Sequence, residues 1–186
     1  MTTKHFTSRA EVVESLKQER DLAGANLSGL DLSGMKLTAL NMKGADLHDA
    51  NLAHAMLAGA EMREVNLANA NLADARIFGA NLQSANLRGA KLHAALMGGV
   101  DLQSADLTGA DLSASRLMGV GVDDADFSDV DTTDAHAAGV AWSEAKVQPA
   151  QLPAAIQPPR WLPLLFASLG IVLTLFFFFR MRRRAV

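Results

Sequence analysis

Cysteine is absent from the 186 residues of this chain, which excludes disulfides, thiolate-held metal and a thiol nucleophile, and leaves the redox compartment open. The N-terminus lacks the apolar core of a signal peptide, because residues 1–8 are polar apart from Phe6. No Ser/His/Asp constellation, phosphate-cradling loop or carboxylate pair in a recognisable cleft can be picked out, so neither an enzyme nor a cofactor site is expected.

What the chain has instead is a five-residue period that runs from Asp21 to about Val147. Of the 26 central slots from Leu22 to Val147, 16 are leucine, and no frameshift is needed. The slot two residues earlier is small or apolar, as at Ala45, Ala50 and Ala70, and the slot between them is usually Asn or Asp, as at Asn51, Asn66 and Asn71. A helix would repeat its apolar residues every 3.6 positions and a strand every 2, so neither template fits. A chain that turns a corner every five residues fits both facts, with the leucine and the small residue inward and the other three outward. Such a chain coils.

Ala70-Asn71-Leu72-Ala73-Asp74 and Ala105-Asp106-Leu107-Thr108-Gly109 match A-[ND]-L-x-x almost literally, and here the sequence resembles the pentapeptide-repeat family over about two thirds of its length. The resemblance implies an all-β fold, a right-handed quadrilateral β-helix with four pentads per coil. It implies no single function. Some members of the family resemble DNA in shape and charge, bind DNA gyrase and confer quinolone resistance.

A superperiod of 20 residues is visible in the chain itself. In every fourth pentad the slot before the central residue reads Lys36, Met56, Arg76, Leu96, Arg116 and His136, none of them Asn or Asp, whereas 15 of the other 20 pentads carry Asn or Asp there. Residues one coil apart then stack at about 4.8 Å. One core ladder is Leu27, Leu47, Leu67, Leu87, Leu107 and Phe127. The fourth side displays Met56, Phe78, Leu96 and Met118 beside Arg76 and Arg116, the residue types enriched where proteins meet, and is the candidate surface for a protein partner or a homodimer.

The remaining polar groups carry less. The histidines fall on different sides or layers; His93 lies about two coils, or roughly 10 Å, from His54, too far to share a metal. The run Asp123, Asp124, Asp126, Asp129, Asp131, Asp134 lacks the glycine and terminal glutamate of a calcium loop. It reads as a solvated acidic rim, with a basic partner or a loosely held cation as the alternative. No metal site is expected.

Both ends of the coil need covering, because an open β-helix end exposes backbone and core. Residues 1–20 are expected to supply the N-terminal cap. Ser8 and Glu11 have capping-box spacing, which predicts a helix over 9–19 with Val12, Val13 and Leu16 on its apolar face. Thr132 and Ala137 loosen the last coil, and Trp142 is expected to plug it. The repeat is expected to span 21–148, followed by an extended linker over 149–160, where Pro149, Pro153, Pro158 and Pro159 interrupt regular hydrogen bonding.

Residues 161–179 carry no charge, and as a helix they span about 28 Å against a hydrocarbon core of about 30 Å. Arg180, Arg182, Arg183 and Arg184 in the 180–186 tail stop the segment. A single-pass transmembrane helix is expected, a tail anchor in a bacterial inner membrane. The arginines favour a repeat domain outside, but nothing resembling an export signal is present, and the repeat domain is expected on the cytoplasmic side.

The leading functional expectation is a membrane-anchored scaffold for protein–protein interaction. The alternative implied by the resemblance is a DNA-mimicking, gyrase-binding protein. The balance of 17 acids against 8 Lys and Arg between Asp21 and Val147 favours the alternative, and the anchor and the basic, apolar fourth side oppose it. Direct nucleic-acid binding is not expected.

Overall fold

In a computed structural model, residues 4–156 form a four-sided coil capped by a helix. Residues 20 apart pair in parallel on every side: Asp21↔Asn41↔Glu61 on the first, Asn26↔Asp46↔Asn66 on the second, Asp31↔Asn51↔Asn71 on the third and Lys36↔Met56↔Arg76 on the fourth. On the fourth side the single bridges lengthen into strands β1 (Arg76–Phe78), β2 (Leu96–Gly98), β3 (Arg116–Met118), β4 (His136–Ala138) and β5 (Ala154–Ala155), one parallel sheet in that order.

The pentad follows from where its five N–H groups go. Around Leu47, the N–H of Leu47 donates to Asn66 O at 2.7 Å, that of Asp49 to Ala68 O at 2.9 Å, and that of Asp46 to Ala25 O at 2.8 Å, so three donors tie coil to coil. The N–H of Ala50 closes the corner onto Leu47 O at 3.1 Å. One donor remains, that of the residue after the leucine, and buried or half-buried donors need partners. Its acceptor is the Asn or Asp before the leucine: Ala73 N–H donates to Asn71 Oδ1 at 3.2 Å and Thr108 N–H to Asp106 Oδ1 at 2.9 Å. All 15 Asn and Asp residues in that slot make this bond. On the fourth side the ladder runs on through Ile77↔Met97 and Phe78↔Gly98, so from β2 onward the residue after the central one lies within the strand register. The longer ladder begins at Arg76, whereas Lys36 and Met56 pair through single bridges.

Each corner places one residue in the left-handed region, every fifth position from Gly24 to Gly139. Asp49, Asn69, Asp74, Asp124, Asp129 and Asp134 hold φ of 56–58° there. Asn and Asp tolerate that conformation better than most side chains, which explains why half the acidic rim sits where it does.

Leucines and alanines fill the interior. The ladder Leu27 to Phe127 is 0–1% exposed throughout, and the other central leucines are at most 2% exposed. Two buried inward positions are polar, Thr132 and Ser115, and Ser115 occupies an alanine slot, fully buried, with no hydrogen-bond partner for its hydroxyl. Ser115→Ala removes an unpaired polar atom at nearly constant volume and is expected to stabilise the fold by about 1 kcal/mol, read from chemical unfolding.

The N-terminal cap begins below the first coil, where His5 pairs with Asn26. Helix α1 spans Arg9–Gln18, with the Ser8 hydroxyl accepting from Glu11 N–H and the Glu11 carboxylate accepting from Thr7 N–H at 2.8 Å. Val12 is buried in the core and Leu16 packs against it. Val13, placed by the sequence on the same face, is 40% exposed. Three cations cover carbonyls that have no coil beneath them: Arg9 Nη1 donates to Ser33 O at 2.7 Å, Arg20 Nη2 to Thr38 O, and Lys4 Nζ to Asp21 O at 3.2 Å.

The C-terminal end differs from the sequence reading. The five-residue frame slips near its end: a 3-10 turn over Trp142–Glu144 replaces a corner, and Asp126 pairs with Val147, one residue beyond the place a 20-residue repeat dictates. Val147, expected inward, is therefore 36% exposed. Trp142 is half-buried, its ring meeting Phe127 edge-on at 5.3 Å and 79°. The stretch from Pro149, expected as linker, runs along the last coil. Pro149 and Pro153 are buried, Thr132 Oγ1 donates to Gln151 O at 2.6 Å, and Ala154 N–H donates to Ala135 O at 2.8 Å as β5 joins β4. A proline can lie on an open edge because it has no N–H to leave unpaired there. The expected membrane span over 161–179 lies outside the described residues, and no helix among the described residues is long and apolar enough to cross a membrane.

Candidate interaction surface on the fourth side

The fourth side is built by β1–β4, whose central residues Ile77, Met97, Leu117 and Ala137 point inward, which leaves the flanking residues outward. One file therefore holds Lys36, Met56, Arg76, Leu96, Arg116 and His136, and the neighbouring file holds Phe78, Gly98 and Met118. The six residues singled out in the sequence lie together. Phe78 is 38% exposed and Met118 46%, whereas Met56 and Leu96 are half-buried. Among the described residues neither Arg76 nor Arg116 forms an ion pair.

The ladder from Arg76 onward does not call for these side chains in place of Asn and Asp. Phe78 packs against Gly98, so close that a Cβ at Gly98 would meet the ring at 2.8 Å. The glycine gives the ring room. At the corner between the third and fourth sides Met56, Arg76 and Leu96 border a shallow depression with His54, Asp74 and Ala94. The His54 and Asp74 side chains approach to 3.8 Å there.

The second and third sides carry hydrogen-bonded polar ladders. Asn71 Nδ2 donates to Asn51 Oδ1 at 3.1 Å and Asn51 Nδ2 to Asp31 Oδ1 at 3.0 Å, and a second ladder links Asn86, Asn66 and Asp46. Where Asp replaces Asn the ladder ends and cations enter. Arg88 pairs with Asp106 at 3.1 Å and Lys146 with Asp126 at 3.2 Å, which relieves the repulsion between those two stacked carboxylates. The Ser128 hydroxyl and N–H hold the Asp126 carboxyl below the usual range. The hydrogen bond to Asp46 raises the pKa of His48. Among the described residues no group of acids and histidines is arranged to hold a metal ion. The Asn ladders and the arginine caps were missed in the sequence, although Asn at 20-residue spacing was a legible signal for the first.

These features define a class of protein: a four-sided solenoid of five-residue turns with a basic and apolar strip on its strand side. A model of pentapeptide repeats matches the chain in 8 copies, over residues 21–52, 45–83, 85–120 and 95–131. The chain belongs to the pentapeptide-repeat family. No curated protein sequence matches it. A pentapeptide repeat protein from the thylakoid lumen of Arabidopsis thaliana is 31% identical over 55% of this chain and 71% of its own, with a TM-score of 0.53. Rfr23 from the cyanobacterium Cyanothece 51142 is 23% identical over 73% of this chain and 99% of its own, with a TM-score of 0.54. QnrB1, a plasmid-mediated fluoroquinolone resistance protein, aligns at 21% identity over 82% of this chain and 84% of its own, with a TM-score of 0.41.

Proposed function

We propose that the chain is a membrane-anchored scaffold that presents the fourth side of its coil to a protein partner. The observation that carries this reading is the strip of Met56, Phe78, Leu96 and Met118 with unpaired Arg76 and Arg116, on a side whose backbone needs none of them. Apolar residues scattered singly over a surface are ordinary, but here they occupy consecutive coils about 4.8 Å apart and merge into one patch. The double change Phe78→Ser with Leu96→Ser leaves the inward residues untouched. It is expected to preserve the melting temperature within a few degrees and to abolish co-purification of the partner, or self-association if the partner is a second copy. Association at unchanged affinity would refute this surface.

The anchor rests on the charge-free run 161–179 and its arginine stop. Carbonate washing is expected to leave the chain in the membrane pellet, and its release into the supernatant would overturn the anchor. The solenoid is placed on the cytoplasmic side of a bacterial inner membrane, which protease accessibility of an N-terminal tag in intact and opened cells tests.

A second reading, gyrase binding by DNA mimicry, is favoured by the excess of 17 acids over 8 Lys and Arg in the repeat. Inhibition of supercoiling by the wild-type chain, lost when the acids at Asp106, Asp111, Asp126 and Asp131 are neutralised, would replace the scaffold reading.

A further inference from the structure

The fourth side repeats every two coils as well as every coil. Cations stand at Lys36, Arg76 and Arg116, each 40 residues from the next, and apolar Met56 and Leu96 fill the coils between them in the same file. In the neighbouring file Phe78 and Met118 are also 40 residues apart, with Gly98 between them beneath the Phe78 ring. Two coils rise by about 9.6 Å. Seven residues of an α-helix rise by about 10.5 Å. A helix laid along the coil axis with an acid at each heptad position therefore meets Lys36, Arg76 and Arg116 in turn, and its residues three and four positions on fall against Met56, Phe78 and Leu96. The mismatch over the two periods is about 2 Å, within the reach of Lys and Arg side chains.

We propose, resting on the fourth side as partner surface, that its occupant is an amphipathic helix with acidic residues at heptad spacing and apolar residues between them. The same side of a second copy would bring more cations and no acid, and so offers Arg76 and Arg116 no opposite charge. An anionic bilayer would accept cations in any arrangement and gives no reason for the 40-residue spacing of Lys36, Arg76 and Arg116. Phosphate-backbone binding would have no use for the interleaved apolar residues.

The test uses the full chain in neutral detergent and a fluorescein-labelled peptide of about 18 residues, with Glu at heptad spacing, Leu three and four positions after each Glu, and Ala elsewhere. A second peptide of the same composition has its order permuted to remove the heptad. Fluorescence anisotropy is expected to show saturable binding of the first peptide and at least tenfold weaker binding of the second. Arg76→Glu with Arg116→Glu is expected to cost at least tenfold in affinity, whereas Lys91→Glu on the third side leaves it unchanged. Unaltered melting curves check that the variants fold, and Arg76→Gln with Arg116→Gln serves if the first pair does not. Equal binding of the two peptides, or no loss in the double variant, would overturn the proposal. So would binding of phosphatidylglycerol vesicles or duplex DNA that depends on Arg76 and Arg116 while the peptide does not bind, or concentration-dependent self-association that the double variant loses. Capture of a partner that still requires Phe78 and Leu96 while the heptad peptide fails would sink the helix and keep the surface. Capture indifferent to Phe78 and Leu96 would sink the surface itself.

Discussion

Leu72→Asp is expected to abolish cooperative unfolding of the coil, whereas Asn71→Ser lowers its stability by only about 1 kcal/mol. The two residues are adjacent and differ only in direction. Leu72 is 1% exposed in the third-side file between Leu52 and Leu92, and its N–H donates to Lys91 O at 2.7 Å. A carboxylate there would find no donor among aliphatic neighbours, and the backbone bond prevents it from turning outward. Burying an unpaired charge costs several kcal/mol even after the group takes up a proton, a large share of the roughly 5–15 kcal/mol that holds a domain together. Asn71 lies half in solvent, where it accepts from Ala73 N–H at 3.2 Å and donates to Asn51 Oδ1 at 3.1 Å. A serine hydroxyl can still accept from Ala73 and loses only the ladder bond. Circular dichroism melting of both variants decides the matter, and equal midpoints would refute the inward and outward assignment.

A chain ended at Gln148 is expected to be about 3 kcal/mol less stable than one ended at Ile156, although only residues read as linker distinguish them. The shorter chain loses β5, the Ala154–Ala135 bond, the Thr132–Gln151 bond and the burial of Pro149 and Pro153. Each bond is worth about 1 kcal/mol and the prolines add a similar amount of apolar burial. The loss also uncovers the loosest part of the interior, because Thr132 and Ala137 stand in leucine slots. Urea unfolding of the two truncated chains measures the difference, and identical midpoints would show that the cap ends before Pro149.

The sequence by itself determined the coil. Every pentad repeats the same local solution, a leucine inward, a corner in the left-handed region, and an Asn or Asp whose carbonyl or carboxylate oxygen holds the next free N–H, so the pattern is written 15 times over and survives exceptions such as Lys91. Because the coil closes in 20 residues, the same arithmetic also shows which outward residues share the fourth side, and the six surface residues could be assembled without coordinates. The ends were decided only by the tertiary structure. Arg9 reaches Ser33 O across 24 residues, and nothing periodic announces a carbonyl that lacks a coil beneath it. Pro149 and Pro153 carry the local signature of a linker, yet they are buried, because an exposed coil end offers apolar surface and an edge where a missing N–H does no harm. The packing of Phe78 against Gly98 is likewise a contact between coils. Repetition makes an interior legible because each coil meets another like itself, whereas a terminus meets whatever chain happens to reach it, and only packing selects that contact.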